Sequence, residues 1–251
     1  MLNVKLDFIK IISDTSSTDL IDNLQFRLTP NKIYTILGKN GTGKTSLILA
    51  LTRLLDKSIF SYKASLEIFG EDISLLSRGE LAEYRSENIR YVFQDPIGCL
   101  DPLKNIKYYF GLLKISKIEI DEQLDYFQLP SYDKIRKLHP YELSVGMAQR
   151  LNIILSLLAK PKLLILDEPT SALDLPISNL LLSSLREFAS QTNKLVLIVT
   201  QDIVFAKNVS DYISVLANMK LSPFKSSDEI SNNNSDSELT KFINTYNEIL
   251  N

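Results

Sequence analysis

The sequence predicts an α/β fold, a sheet covered by helices on both faces, and three observations carry that prediction. Gly38-Lys39-Asn40-Gly41-Thr42-Gly43-Lys44-Thr45 fits the pattern of a glycine, four free positions and Gly-Lys-Thr, set between a strand-like run at residues 33–37 and a helix-like run at 46–51. Residues 163–166 and 195–199 are unbroken apolar runs, as a strand must be when both of its faces are buried. From about residue 95 to 160 the pattern is helical, and that stretch lies between two strand-like runs, as a helical insertion would.

Taken in order, residues 2–12 and 24–28 read as strands separated by the polar stretch Ser13-Asp14-Thr15-Ser16-Ser17-Thr18-Asp19. Pro30-Asn31-Lys32 turns the chain into the strand before the glycine loop, and a helix from Lys44 to about Leu55 follows it. Residues 64–70 alternate as a strand; residues 89–93 form another, which delivers Gln94 before Asp95-Pro96 breaks it. Helices are expected at 106–113, 119–127, 143–159 and 177–190, and a last strand at 212–216. The Ser-, Asn- and Asp-rich stretch 226–237 reads as a flexible linker, and 238–250 as a short amphipathic helix. The expected organisation is one domain over 1–220 and a tail over 221–251, with no internal repeat.

Composition narrows the class. A chain of 251 residues buries an ample core, and a net charge of −2 offers no bulk attraction for nucleic acid. The single cysteine, Cys99, excludes an internal disulfide framework and a cysteine-based zinc site and fits a reducing cytoplasm. The first residues alternate like a strand and lack the apolar core of a signal peptide, and no apolar run approaches the ~20 residues that span a bilayer.

The chemistry follows from the loop. Its glycines let successive N–H groups of Gly38, Lys39, Asn40, Gly41, Thr42 and Gly43 curl inward around phosphate oxygens, and the helix opening at Ser46 turns its positive end to them. Lys44 adds a point charge on the β- and γ-phosphates, and the Thr45 hydroxyl can complete a Mg²⁺ shell. After the apolar run 163–166 come two acids with separable tasks: Asp167 can hold Mg²⁺ through water, and Glu168 can orient and deprotonate an attacking water. In Leu143-Ser144-Val145-Gly146-Met147-Ala148-Gln149-Arg150, Ser144 stands where a helix N-cap would, ahead of apolar positions at helical spacing; such an N-terminus either presents a hydroxyl and N–H groups to an anion or is an ordinary capped helix.

Together these residues resemble the ATP-binding cassette (ABC) ATPases, over roughly residues 2–216. Residues 38–45 resemble the family's Walker A loop, Gln94 its Q-loop glutamine, 143–150 its signature motif, and 163–167 its Walker B strand with Glu168 as the catalytic glutamate. Ser171-Ala172-Leu173-Asp174 resembles its D-loop. The resemblance implies a P-loop NTPase core with an antiparallel β subdomain and an inserted helical subdomain at about 95–160. It implies ATP and Mg²⁺ as cofactors, with Mg²⁺ held by Thr45, Gln94 and Asp167. It also implies a head-to-tail dimer in which Ser144, Val145, Gly146 and Met147 face the partner's nucleotide.

Within the family, Val92-Phe93-Gln94-Asp95-Pro96, Leu100-Asp101-Pro102-Leu103 and His139-Pro140-Tyr141-Glu142-Leu143-Ser144 resemble stretches of the oligopeptide, dipeptide and nickel importer ATPases. Those systems pair two different ATPase chains with two membrane permease chains and an external substrate-binding protein. The expected function is therefore the ATP-hydrolysing subunit of an importer for peptides, nickel or a metal chelate, peripheral on the cytoplasmic face of the membrane and part of a heterodimer. The helical insertion would dock on the membrane chains.

Two residues depart from the pattern. Gln201 stands where the family has the histidine that contacts the γ-phosphate; its amide still donates a hydrogen bond, without an imidazole's reach. Val145 replaces the first signature glycine, and a branched side chain there crowds the approach to phosphate. In a heterodimer these fall in different composite sites. They support an alternative, a regulatory subunit that binds ATP and hydrolyses little; a soluble ABC protein outside transport is a third. For the adenine-stacking position, Phe8 reads as core and Ile11 or Ile12 falls near the expected place.

Overall fold

The computed structural model describes residues 1–13 and 16–232. Its strands form two sheets. The smaller is antiparallel and contains β1 (Leu2–Ile12), β2 (Ser17–Leu28), β4 (Phe60–Ile68) and β5 (Glu71–Asp72) in the order β2-β1-β4-β5. The larger holds β3 (Lys32–Leu37), β6 (Ile89–Val92), β7 (Leu163–Asp167), β8 (Leu195–Thr200) and β9 (Tyr212–Ala217), mutually parallel in the order β9-β3-β8-β7-β6. Short strands β10 (Lys220–Leu221) and β11 (Lys225–Ser226) pair antiparallel with β9.

The apolar runs behave as their composition requires. Every residue of β7 and β8 is buried. Their alternate side chains enter different cores: Leu164, Leu166, Val196 and Ile198 pack in one, Leu163, Ile165, Leu195, Leu197 and Val199 in the other. The first core is closed by α6 (Val145–Leu158) and α7 (Leu175–Ser190), the second by α1 (Lys44–Leu51) and the antiparallel sheet. Strands β3, β7 and β8 are thereby pinned side by side, so their carboxyl ends open on one place.

Between β6 and β7 run α3 (Ile106–Gly111), α4 (Lys117–Tyr126), α5 (Tyr132–Ile135) and α6. Asn105, Ser116 and Ser144 cap α3, α4 and α6, each side-chain oxygen accepting a main-chain N–H three residues on. Arg150 ties the group together by donating to the carbonyls of Phe127 and Gln128.

Several boundaries differ from expectation. β2 begins at Ser17, inside the polar stretch, because it is an edge strand whose outward positions face water. α1 stops at Leu51: Thr52 donates its hydroxyl back to Ile48 O, and Arg53 takes the left-handed conformation at φ 53°. The unforeseen helices include α2 (Arg78–Asn88), started by the reciprocal Ser77–Glu80 capping box, and α8 (Ile203–Val209), capped by Asp202. The expected linker at 226–237 is ordered at its start: Ser226 pairs with Tyr212, and α9 spans Ser227–Asn232. The helix expected at 238–250 lies outside the described residues. No helix among the described residues is long and apolar enough to cross a membrane.

A candidate nucleotide site at the carboxyl end of the parallel sheet

Gly38 to Gly43 form the connection from β3 to α1. Gly43, the N-cap of α1, sits at φ 93°, a region that glycine enters without cost. Gly38 is fixed by space instead: a Cβ there would lie 2.7 Å from Thr42 Oγ1 and 2.9 Å from the Leu216 carbonyl. Thr42 Oγ1 donates to Lys39 O at 2.9 Å, closing the loop on itself.

The buried ammonium of Lys44 has three acceptors: Gly38 O at 2.8 Å, Lys39 O at 3.2 Å and Glu168 Oε1 at 3.1 Å. Glu168 follows β7 with φ 46°, a strained conformation for a side chain of its kind. Its carboxylate is the hub of the site. Thr200 Oγ1 donates to Oε2 at 2.7 Å, and the Gln201 main-chain N–H lies 3.1 Å from both oxygens. Glu168 N in turn donates to Val199 O.

Asp167 ends β7, wholly buried. Its Oδ2 accepts from Thr45 Oγ1 at 2.7 Å and from Tyr91 OH at 2.9 Å. Its Oδ1 is buried and accepts nothing. Burial pushes the Asp167 carboxyl above the usual carboxylate range, and the Glu168 charge adds to that, against the two hydroxyls and Lys44. A buried carboxylate oxygen without a donor is costly, and a cation would satisfy it. Thr45 is suited to the same cation, because its proton goes to Asp167 and its lone pairs stay free. This donor set fits Mg²⁺.

A cavity of about 270 Å³ collects these groups. Asn40, Gly41, Gly43, Lys44, Thr45, Ser46, Gln94, Asp167 and Glu168 line its polar part, and Ile11, Leu20 and Phe60 its apolar part. Ile11 was foreseen near a base; Phe60 was not. The antiparallel register Ile11↔Phe60 between β1 and β4 brings them together.

Other expected site residues lie elsewhere. Ser144, Val145, Gly146 and Met147 do not line this cavity; Ser144 caps α6, and Val145 is 52% exposed. Gly146 faces the 171–174 loop, where an added Cβ would lie 3.0 Å from Ala172 O. In that loop Ser171 N donates to Glu168 O, Leu173 N to Thr170 O, and Asp174 caps α7 by accepting from Ile177 N. Gln201 touches Glu168 through its backbone only, while its side chain is exposed.

Comparison with known proteins gives a family and a fold. Residues 21–171 match the family model described as "ABC transporter". The oligopeptide transport ATP-binding protein OppD of Escherichia coli (strain K12) is 32% identical over 225 residues, 86% of this chain and 66% of that protein. Its Haemophilus influenzae counterpart is 29% identical, over 86% of this chain and 69% of that protein. The chain thus spans about two thirds of the length of these curated relatives. Among solved structures, the ATP-binding cassette MJ0796, a dimer in a post-hydrolysis state bound to ADP and Pi, superposes with a TM-score of 0.76 at 21% identity, over 89% of this chain and 98% of that one. The family model covers more than half of the chain and the two-sheet core has the fold of an ATP-binding cassette: the chain belongs to the ABC transporter family.

Proposed function

We propose that this chain is the ATP-binding and ATP-hydrolysing subunit of a peptide importer, acting on the cytoplasmic face of the membrane. The observation that carries the proposal is the single cavity where Lys44, Thr45, Asp167 and Glu168 meet. The peptide class is supported by the relatives named for oligopeptide transport. Its partners in this reading are a second, different ATPase chain, two membrane permease chains and, through them, an extracytoplasmic substrate-binding protein.

The residues divide the work. The loop N–H groups and Lys44 bind the ATP phosphates. Because Lys44 already holds three acceptors, phosphate takes its charge by displacing Glu168, which frees that carboxylate as nucleotide arrives. Thr200 Oγ1 and Gln201 N still hold Glu168, so it stays aimed as the acceptor of a proton from water. Thr45, Gln94 and Asp167 would hold Mg²⁺, which neutralises charge on the β- and γ-phosphates when bound. Ile11, Leu20 and Phe60 give the base an apolar surface. Ser144 and Gly146 serve the partner's nucleotide in a head-to-tail dimer.

The test is uptake by the chain co-purified with its membrane partners in proteoliposomes. ATP-dependent entry of labelled peptides is expected; entry of nickel or a metal chelate with no peptide uptake would overturn the peptide assignment. One observation favours a second reading, a cassette that binds ATP and leaves hydrolysis to its partner. Where the family has its γ-phosphate histidine, this chain presents the exposed amide of Gln201, which donates a hydrogen bond without an imidazole's reach.

A further inference from the structure

Tyr91 enters the site from β6 and has no role in the account above. Its hydroxyl donates to Asp167 Oδ2, the same oxygen that takes the Thr45 proton. Asp167 therefore receives two donors on one oxygen, from two elements, β6 and α1, and none on the other. The last torsion of an aspartate is broad and nearly two-fold, so a carboxylate held by one donor can swing or exchange its oxygens. Two hydroxyls on Oδ2 define the plane and leave Oδ1 as the free acceptor. The Tyr91 ring cannot easily move: it lies 4.1 Å from the Phe93 ring between centroids, and β6 is locked in parallel register with β7, Tyr91 beside Ile165. Phe93 is followed directly by Gln94, so the same pair of rings also supports the chain that carries Gln94 to the cavity. Packing alone would be met by phenylalanine, which would bury no hydroxyl.

We infer that Tyr91 is a positioning residue for divalent-cation binding, orienting Asp167 so that Oδ1 faces the cation. This rests on the reading of Asp167 as the Mg²⁺ carboxylate. Outer partners of metal ligands commonly contribute about 10- to 100-fold in affinity.

The experiment uses the full chain with Mn²⁺ as the probe, its affinity measured by electron paramagnetic resonance at saturating ADP. Binding of a fluorescent ADP analogue in EDTA is measured in parallel. For Tyr91→Phe the Mn²⁺ affinity is expected to fall about tenfold while ADP binding in EDTA stays unchanged and the chain still unfolds cooperatively. Unchanged Mn²⁺ affinity overturns the inference. So does an equal loss of ADP affinity with and without the metal, or a variant that fails to fold, since the hydroxyl would then serve the core. Asp167→Asn separates the two levels. If it abolishes Mn²⁺ binding and Tyr91→Phe does not weaken it, only the Tyr91 inference fails; if Asp167→Asn also leaves Mn²⁺ affinity intact, the Mg²⁺ reading itself fails.

Discussion

Replacing Glu168 by glutamine is expected to tighten nucleotide binding in the absence of metal. In the structure Glu168 Oε1 lies 3.1 Å from Lys44 Nζ, with the two side chains 8% and 6% exposed. At an effective dielectric of about 20, two unit charges at that distance attract by roughly 5 kcal/mol, much of it offset by the desolvation of both. The glutamine amide oxygen still accepts from Lys44, and the Gly38 and Lys39 carbonyls remain. What the substitution removes is the charge that a phosphate must displace, together with its repulsion of that phosphate. A net of about 1–2 kcal/mol is a reasonable remainder, equivalent to roughly 5- to 30-fold in affinity. Titrating a fluorescent ADP analogue in EDTA measures it without dimer closure or turnover. The same substitution leaves a buried ammonium less compensated, so the nucleotide-free variant should melt about 2–8 °C lower. An unchanged or weaker ADP affinity with an unchanged melting temperature would refute the claim that Glu168 and phosphate compete for Lys44.

Phe60→Ala should weaken ADP binding by about 1–2 kcal/mol while inorganic tripolyphosphate, which has no base, competes as before; titrating both separates the apolar wall from the phosphate loop. Gln201→His keeps the main-chain N–H on Glu168, so the unfolding free energy should hold within about 0.5 kcal/mol, and turnover in the complex should rise. Asp174→Ala removes the α7 cap and should cost about 1 kcal/mol in denaturant unfolding, with ADP affinity unaffected because Asp174 does not reach the cavity.

Much of the site could be read from sequence because the residues that build it are contiguous. The glycine spacing, Lys44 and Thr45 are one local motif, and the fully apolar β7 and β8 announced strands buried on both faces. The missing parts lacked a local signal or depended on distant pairing. Helix α2 buries only Leu81 and Asn88, so it has no apolar stripe to detect, although Ser77 and Glu80 marked its start. Phe60 reaches the cavity only through the pairing of β4 with β1, and Tyr91 reaches Asp167 only through that of β6 with β7. Neither contact has a sequence pattern. The strained φ of Glu168 was equally invisible, since a glutamate does not ordinarily mark a left-handed turn. The start of the expected linker was misjudged because Ser226 pairs with Tyr212 of β9 and Ser227 N donates to Asp211 O just before that strand, where composition is a poor guide.

The central claim is that this chain's own site hydrolyses ATP. Steady-state Mg-ATPase of the chain in its membrane complex, wild type beside Glu168→Gln in this chain alone, tests it most directly. Loss of most of the turnover, with the complex intact, is the predicted result; general bases contribute about 10²- to 10⁴-fold. Turnover unchanged by Glu168→Gln would contradict the account and assign the chemistry to the partner cassette.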